Sequence, residues 1–506
     1  MDLAHFFFSM IPIIWLIISL GVMKMPGHKA CVVALIIALL LALVCFNMPI
    51  ISAVTATAEG AATAIWPIII VIIGAVFTYN LSVYTKNMEK IKNMLSTVTT
   101  DKRILVLILA WAFGGFLEAV AGFGTSVAIP ASIMSGLGFD PVFAAIICLM
   151  ANTTPTAFGA IGLPITTLAK VANIKVLPLS YAVSLQLALL IIVVPFILIM
   201  ITGKSIKAVK GVIPITLISG LGFALPQVLA AKYLGAELPA IIGSIVSLGL
   251  TIIVAKVFYK ETAVKSNKHI TVKEVILAWL PFILVFFFII FTSSLFPVIS
   301  KPMSKIQTTI QIYIGPGAKP DTFMWLDTPG TLIIIATFIG GLIQGAKFNE
   351  ILKVLIDTIK QMSKTSVTII AIIALAKVMS YCGMIKSIAD VLVTITGPYY
   401  PLIAPLIGAL GTFVTGSDTS ANILFGGLQV AAANKLSMSP YWLAASNTCG
   451  ATAGKMISPQ SIAVAAAATG ISGKEGKILG ATVKFCLVYV IILGLISFFA
   501  AKLLGF

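Results

Sequence analysis

The stretch Ala151-Asn152-Thr153-Thr154-Pro155-Thr156-Ala157-Phe158-Gly159 interrupts an otherwise apolar part of the chain, and Pro164 follows it. A second copy of the signature carries, at one constant offset, Asn447, Thr448, Gly454 and Pro459. The two copies are preceded by companion segments, Gly122-Phe123-Gly124-Thr125-Ser126 and Gly416-Ser417-Asp418-Thr419-Ser420. Asn, Thr, Gly and Pro do not favour a plain membrane helix. Matched copies therefore indicate a duplicated fold whose broken segments meet at one site.

The composition around these motifs is that of a polytopic membrane protein. Of the 506 residues, 59% are hydrophobic and only 10% are charged, so polar residues cannot cover a water-exposed surface. Many apolar runs reach the roughly 17–25 residues that cross a bilayer. The runs are continuous rather than alternating, which excludes a β-barrel. The sequence predicts an all-α polytopic membrane protein.

The formal charge of +17 does not indicate nucleic-acid binding. The lysines fall in short loops, where they fix the orientation of membrane helices. Arg103 is the only arginine, so bidentate arginine recognition of a carboxylate inside the membrane is excluded.

The cysteines and histidines predict no cofactor, no metal and no disulfide framework. The six cysteines lie in apolar segments without a CxxC pair, as small buried residues do. The histidines lie near segment ends or in loops, which argues against a buried histidine proton relay. Asp2 stands where a signal peptide would be basic, so the first apolar run is expected to remain as a helix.

Twelve spans are predicted, together with two segments that carry the Asn-Thr signatures. The spans are 4–22, 30–46, 60–82, 104–135, 178–202, 210–231, 238–256, 274–297, 329–345, 364–384, 400–433 and 478–502. The Asn-Thr segments are 141–170 and 439–470.

Loop lysines orient these spans through the positive-inside rule. Placing the lysine-rich loops inside puts both termini outside, but only if 141–170 and 439–470 each enter and leave on one side. They are then predicted to be re-entrant hairpins, the first open to the outside and the second to the inside.

The same placement of the lysine-rich loops gives the two halves of the chain opposite orientations across the membrane, which predicts an inverted repeat. Residues 1–202 form the first repeat, 203–273 a linking pair of transmembrane helices, and 274–506 the second repeat. Short amphipathic stretches at 88–95 and 384–392 are interpreted as interfacial helices, with an ordinary helix end as the alternative. Inverted repeats of this kind recur among secondary transporters.

The hairpin tips are the predicted substrate site. Residues 141–151 span roughly 16 Å as a helix, about half of a hydrocarbon core of roughly 30 Å, which puts Asn152 near the midplane. Asn447-Thr448-Cys449-Gly450 is expected to form the matching tip. Half-helix ends attract anions, and Asn and Thr side chains add hydrogen bonds. The alternative is that these small and polar residues only join helices. The predicted substrate-binding residues are Gly122, Gly124, Thr125, Ser126, Asn152, Thr153, Thr154, Ser417, Thr419, Ser420, Asn447, Thr448 and Lys455.

Acids within the spans are the candidate proton carriers, since a charge there is costly. Asp418 lies inside a broken motif and Glu118 one turn before Gly122. The alternative for Glu118 is a satisfied structural carboxyl. Glu59 is a third candidate, for which an interfacial residue is the favoured alternative. Lys455 is expected to counter a substrate carboxylate or to pair with Asp418, with snorkelling to the interface as the alternative. Lys377 is a weaker candidate.

The chain resembles the bacterial L-lactate permease family. The resemblance is carried by Glu118-Ala119-Val120-Ala121-Gly122-Phe123-Gly124-Thr125, Ala151 to Gly162, Gly416-Ser417-Asp418-Thr419-Ser420-Ala421-Asn422 and Ser458-Pro459-Gln460-Ser461-Ile462-Ala463. It implies proton-coupled uptake of lactate and similar 2-hydroxy monocarboxylates, including glycolate. The paired Asn-Thr segments are also similar to those of the wider ion-transporter superfamily, which implies an elevator motion.

These observations together predict a proton-coupled symporter whose partners are a small carboxylate, protons and the bilayer. A sodium-coupled carrier of another organic anion is the alternative, because unwound backbone and Asn or Thr oxygens also bind Na⁺. A passive anion channel is less favoured. A membrane enzyme is least favoured, because a catalytic constellation is missing. A homodimer is compatible with the sequence.

Overall fold

A computed structural model describes residues 3–23, 25–122, 124–259, 271–292, 296–471 and 474–504. Phe123 of the first broken motif and the loop lysines Lys24, Lys260, Lys265 and Lys268 lie outside these ranges. The predicted all-α membrane class is confirmed, because the described chain is almost entirely helical.

The first half of the chain contains thirteen α-helices in the described residues. They are α1 Leu3–Leu16, α2 Gly27–Val44, α3 Ile50–Thr63, α4 Ile70–Tyr84, α5 Asn87–Ser96, α6 Lys102–Val106, α7 Gly114–Val120, α8 Thr125–Gly136, α9 Pro141–Ala151, α10 Gly159–Ala172, α11 Val176–Thr202, α12 Ile213–Tyr233 and α13 Pro239–Phe258. Wider π-helical turns at Ile17–Val22, Ala64–Ile69 and Leu107–Phe113 continue α1, join α3 to α4 and join α6 to α7. Short 3₁₀ turns cover Pro155–Phe158 and Ile206–Val209.

The second half adds ten α-helices and one β-hairpin among its described residues. They are α14 Val272–Thr292, α15 Pro297–Ser304, β1 Gln307–Ile310, β2 Asp321–Met324, α16 Pro329–Ile343, α17 Phe348–Tyr381, α18 Met384–Thr396, α19 Tyr400–Thr415, α20 Asp418–Lys435, α21 Pro440–Lys455, α22 Pro459–Ala468 and α23 Glu475–Leu504. A 3₁₀ turn at Gly397–Tyr399 joins α18 to α19.

Ten helices in the described chain are long and apolar enough to cross a membrane, or eleven if the bent pair α9 and α10 counts as one span. Two shorter apolar helices, Ala4–Leu20 and Pro329–Ile343, coincide with further predicted spans. The total of twelve therefore stays a prediction. The helix that covers most of the predicted span 364–384 is longer than the span, because α17 starts at Phe348 and runs unbroken past several lysines.

The predicted breaks in spans 104–135 and 400–433 are confirmed. The chain leaves the helix between α7 and α8, where Gly122 and Gly124 have φ of +59° and +87°. It does so again between α19 and α20, where Gly416 has φ of +74°. Glycine adopts these left-handed conformations at little cost, which explains why each motif carries one at the break.

The segment between α9 and α10 is broken as predicted, at Asn152. The axes before and after the break differ by 61°. A second irregularity follows, because Ala160, Ile161 and Gly162 all have left-handed backbone angles. Regular helix resumes only at Leu163. Whether this segment re-enters the face it came from stays a prediction.

The expected break at Asn447-Thr448 is wrong. Helix α21 runs without interruption from Pro440 to Lys455, and the chain turns only at Met456–Ser458, before α22. The physical reason is that the polar side chains find partners within the helix bundle: Asn447 Nδ2 donates to Asn422 Oδ1 at 2.9 Å. A satisfied amide does not require the backbone to open.

The helices pack into two bundles, each containing elements from both halves of the chain. The α17 bundle comprises α1–α5 and α14–α18, and the α21 bundle comprises α6–α13 and α19–α23. Helix α18 contacts both bundles. The predicted inverted repeat stays a prediction, although an amphipathic helix precedes a broken helix in each half, as α5 and α18 do.

The β-hairpin was not predicted from the sequence. Its strands pair antiparallel, with Gln307 opposite Met324. The connecting loop is held to α3, because Ser52 Oγ donates to the Ile314 carbonyl at 2.8 Å and the Ile314 amide donates to Thr55 Oγ1 at 3.1 Å. Trp66 Nε1 donates to the Met324 carbonyl at 2.7 Å. The hairpin is therefore attached to the α17 bundle.

Candidate substrate and proton site

The helix breaks of the α21 bundle lie against one another in pairs. A side chain at Gly122 would meet Ala160 at 3.3 Å, so the α7–α8 break touches the irregular start of α10. A side chain at Gly416 would overlap Gln460, so the α19–α20 break touches the first turn of α22. Asn422 joins the two regions, because its Nδ2 donates to the Pro164 carbonyl at 3.2 Å and to Thr448 Oγ1 at 2.7 Å.

A buried ion pair lies at the centre of these breaks. Lys455 Nζ, at the end of α21, donates to Glu118 Oε1 at 2.6 Å, and Ser126 Oγ donates to Glu118 Oε2 at 2.5 Å. The Glu118 and Lys455 side chains are 3% and 13% exposed. A Cβ at Gly159 would stand 2.6 Å from Glu118 Oε1, so the start of α10 closes over the carboxylate.

Asp418 is the second carboxyl of the site, on the first turn of α20. Its Oδ1 accepts a hydrogen bond from Thr448 Oγ1 at 3.2 Å. Its Oδ2 is buried and has no hydrogen-bond partner among the described residues. Both Lys455 and Glu118 are close enough to interact with it electrostatically. Lys455 is therefore bonded to Glu118 and interacts electrostatically with Asp418.

An amide network surrounds the carboxyls. Gln429 Nε2 donates to Asn447 Oδ1 at 3.3 Å, and Tyr400 OH donates to Gln429 Oε1 at 3.1 Å. Asp418 and Asn422 are four residues apart on α20, which puts them on one helix face. Such connected polar groups fix side-chain positions in a low-dielectric interior.

Several buried polar atoms near the breaks lack a partner in the described chain. They include Asn152 Oδ1 and Thr154 Oγ1 after α9, and Ser458 Oγ before α22. Unsatisfied buried oxygens are costly and are expected to bind water, an ion or a ligand. They are acceptors and hydroxyl groups at the breaks that follow α9 and precede α22.

The structure brings together many of the predicted site residues and gives others a local role. Glu118, Ser126, Asp418, Asn447, Thr448 and Lys455 share one hydrogen-bonded or electrostatic cluster. Ser417 Oγ instead caps α20 by accepting from the Ser420 amide, and Thr125 Oγ1 donates across the break to the Gly122 carbonyl. Thr153 Oγ1 donates to the Met150 carbonyl. Thr419 and Ser420 are buried in the first turn of α20.

Lys455 pairs with Glu118, which the sequence did not predict. Asp418, the expected partner, faces the same ammonium without a direct hydrogen bond.

Sequence reasoning missed Asn422, Gln429 and Gln460 as site residues. Asn422 could have been predicted from the sequence, since it stands one helical turn after Asp418. Glu59, whose favoured interpretation was an interfacial residue, is 2% exposed and accepts a hydrogen bond from Lys377 Nζ at 2.5 Å. Its depth in the membrane stays a prediction.

Two bundles of membrane helices, with broken helices meeting around a buried lysine and two carboxyls, define a membrane transporter. The fold is shared with a solved membrane protein. MtrF of Neisseria gonorrhoeae, described as one of a class of antimetabolite efflux pumps, aligns with a TM-score of 0.53 at 13% identity, over 92% of this chain and 94% of that one. Identity this low shows the fold alone.

The chain belongs to the L-lactate permease family, whose profile matches residues 5–504. An L-lactate permease of Streptococcus iniae is 57% identical over 86% of this chain and 92% of its own length. The glycolate permease GlcA of Escherichia coli is 35% identical over 97% of this chain and 95% of its own length. The resemblance stated from the motifs is confirmed, and the protein is a multi-pass bacterial membrane protein.

Proposed function

We propose that this protein is a proton-coupled symporter of L-lactate and related 2-hydroxy monocarboxylates such as glycolate. The observation that carries the proposal is the ion pair of Lys455 with the buried Glu118 carboxylate, close enough to the buried Asp418 carboxyl for the three groups to interact electrostatically. The names of its relatives, L-lactate permease and glycolate permease, support the substrate class.

Charge balance couples the proton to the anion. With all three groups ionised, the cluster of Glu118, Asp418 and Lys455 carries one negative charge and repels a carboxylate. A proton on Glu118 or Asp418 neutralises the cluster, so that a substrate carboxylate can approach Lys455 without meeting a net negative charge. Loading proton and anion together leaves the buried charge unchanged, whereas loading either alone alters it at a large desolvation cost.

Helix ends and unpaired hydroxyls complete the proposed substrate contacts. Helix α20 begins at Asp418 and α22 begins at Pro459, and their amide ends attract negative charge. The free oxygens of Thr154 and Ser458 are suited to hydrogen-bond the 2-hydroxyl group. In a site without arginine, these contacts supply the orientation that a bidentate guanidinium would otherwise give.

The proposed transport step is an elevator motion of the α21 bundle against the α17 bundle. The proposed site lies within the α21 bundle, so it can move as one body. The hairpin-like segments 141–170 and 439–470, and the inverted repeat of 1–202 with 274–506 around the linking pair 203–273, are part of this proposal. In this motion the helix breaks at the site become accessible first from one face of the membrane and then from the other.

The test is uptake of labelled L-lactate into proteoliposomes under an imposed pH gradient. With one proton per anion, a gradient of one pH unit drives about tenfold accumulation, since one pH unit is about 1.4 kcal/mol. A proton ionophore should abolish it. Absence of gradient-driven accumulation by the wild type would remove the proposal.

The same vesicles discriminate the sodium-coupled alternative and the substrate. The unpaired Asn152, Thr154 and Ser458 oxygens are also suitable Na⁺ ligands. Accumulation driven by a sodium gradient at clamped pH would show that Na⁺, rather than a proton, is the coupling ion. Competition by D-lactate, L-lactate, glycolate and pyruvate ranks the substrates; strong inhibition by the 2-hydroxy acids and weak inhibition by pyruvate is expected.

A further inference from the structure

A second buried ion pair lies in the other bundle. Lys377 Nζ on α17 donates to Glu59 Oε1 on α3 at 2.5 Å, and their side chains are 13% and 2% exposed. The Tyr381 hydroxyl lies 2.9 and 3.0 Å from the two Glu59 oxygens. Tyr381 in turn stacks on Tyr313, with ring centroids 3.7 Å apart, under the loop of the β-hairpin.

The β-hairpin brings a second carboxyl to this pair. The carboxyl of Asp321, on β2, is close enough to the Glu59 carboxyl for the two to interact. Two neighbouring carboxyls repel each other when both are ionised, so they favour sharing one proton. Asp321 Oδ2 is buried and has no hydrogen-bond partner in the described chain.

A second lysine reaches the cluster from the opposite bundle. Lys170, in the last turn of α10, interacts electrostatically with Asp321, Lys377 and Glu59. Its ammonium also stands 5.1 Å from the centre of the Phe323 ring. The cluster therefore crosses the seam between the two bundles, with three groups on the α17 bundle and its hairpin and one on the α21 bundle.

A cavity of about 340 Å³ opens beside Lys170. Its walls include Trp66, Thr166, Thr322 and Phe323, together with the carboxyls Glu237 and Asp327. This volume is at the lower end of the usual range for small-molecule pockets and exceeds what a three-carbon acid needs. The predicted topology places the hairpin, the end of α10 and the loop before α13 at the outer face.

Glu59, Asp321, Lys377 and Lys170 carry no net charge when all four are ionised. One proton shared by the two carboxyls leaves one positive charge in excess, on a lysine that faces the cavity. We propose that these four residues form an outer loading site that takes up a proton and then a small carboxylate anion, before both pass to the Glu118–Lys455 site. This inference rests on the proposed function, and it adds a second binding site that is separate from the Glu118–Lys455 site.

The groups that face this cluster decide its response to pH. They are Tyr381 and Cys382 from α17, Tyr313 from the hairpin loop, and Glu237 and Asp327 across the cavity. Burial raises the pKa of Asp321 above its usual range, and the facing Glu59 carboxyl adds to the rise. A raised pKa means that Asp321 gains its proton as external pH falls, which is the direction in which the lysine becomes free for the anion.

Right-side-out membrane vesicles test the inference, because external pH then acts on the outer face alone. The KM of the wild type for external L-lactate should fall as external pH is lowered. Asp321→Asn fixes one carboxyl in a neutral form, so its KM should be low and nearly independent of external pH. Lys170→Gln should raise KM about tenfold or more at every pH, as loss of a charged partner does. Lys319→Gln, which removes an exposed lysine in the same hairpin, should behave as the wild type.

The pH profile separates this site from a structural role. A packing defect would lower the amount of folded protein or the maximal rate and would leave the pH dependence of KM in place. Wild-type profiles in both Asp321→Asn and Lys170→Gln, alongside proton-driven uptake by the wild type, would overturn this inference and leave the proposed function standing. A wild type without proton-driven uptake would remove both.

Discussion

At the scale of single residues, the ion pairs in the described part of the chain differ in how exposed they are. Glu118–Lys455 and Glu59–Lys377 are buried, while Lys435–Asp390 is 37% and 46% exposed. A buried pair contributes little net stability, because desolvation offsets its attraction, yet removing one partner leaves a costly unpaired charge. Retaining two such pairs in an apolar protein is consistent with a role in which the charges change partners.

Glu118→Gln and Lys455→Gln should each destabilise the protein by about 3–5 kcal/mol, because each leaves the other charge buried and unpaired. The double variant should lose much less than the sum of the two. Thermal unfolding in detergent measures the effect. Asp390→Asn, at the exposed pair, is the matched control and should cost about 0–1 kcal/mol. Additive losses in the double variant would show that the pair is not coupled.

Asp418→Asn should abolish accumulation and retain exchange. The amide keeps the shape of the side chain and its hydrogen bond from Thr448, but it cannot bind and release a proton. Under a gradient of one pH unit the accumulation ratio should fall from about ten to about one. Lactate–lactate exchange, measured in the same proteoliposomes at equal pH, should continue. Wild-type accumulation by this variant would assign the proton to Glu118 instead.

The sequence located the charged groups but not their pairings. Asp418, Glu118 and Lys455 stand out because a charge within an apolar run needs a reason. The partner of Lys455 is 337 positions away, and no local pattern encodes such a contact. The partner of Glu59 is equally remote, because Lys377 stands 318 positions further along the chain.

At the scale of elements, the composition of α21 explains why it does not break where expected. Gly450 and Gly454 are four residues apart on the face that packs against α19. A Cβ at Gly450 would overlap the Pro405 carbonyl, and one at Gly454 the Ala409 carbonyl. Small residues at this spacing allow two membrane helices to approach backbone to backbone. The glycines that suggested an unwound tip therefore serve close packing of a continuous helix.

Gly450→Ala should separate α19 from α21 and lower the unfolding temperature and the yield of folded protein. The added methyl meets backbone atoms that cannot rotate away. Gly480→Ala is the matched control, because a Cβ there meets nothing within 4 Å and α23 gains a better helix former. Equal behaviour of the two variants would contradict the packing role of Gly450.

At the scale of the whole molecule, the two bundles give the two charged clusters different positions. The Glu118–Lys455 site is internal to the α21 bundle, whereas the Glu59–Lys377 cluster joins the α17 bundle to Lys170 across the seam. A sliding motion would carry the first site intact and would take Lys170 away from the second. The Glu59–Lys377 cluster could then load substrate only while the two bundles are arranged as in this structure.

A cross-link across the seam should therefore stop transport. Thr166 on α10 and Thr322 on β2 line the same cavity from opposite bundles, so Thr166→Cys with Thr322→Cys can be bridged by a bifunctional thiol reagent. The bridge should abolish both uptake and exchange, and a reducible reagent should allow recovery. Thr309→Cys with Thr322→Cys is the matched control, because these side chains face each other within the hairpin, with hydroxyl oxygens 3.1 Å apart. Full transport by the protein bridged at 166 and 322 would exclude relative movement of the two bundles as the transport step.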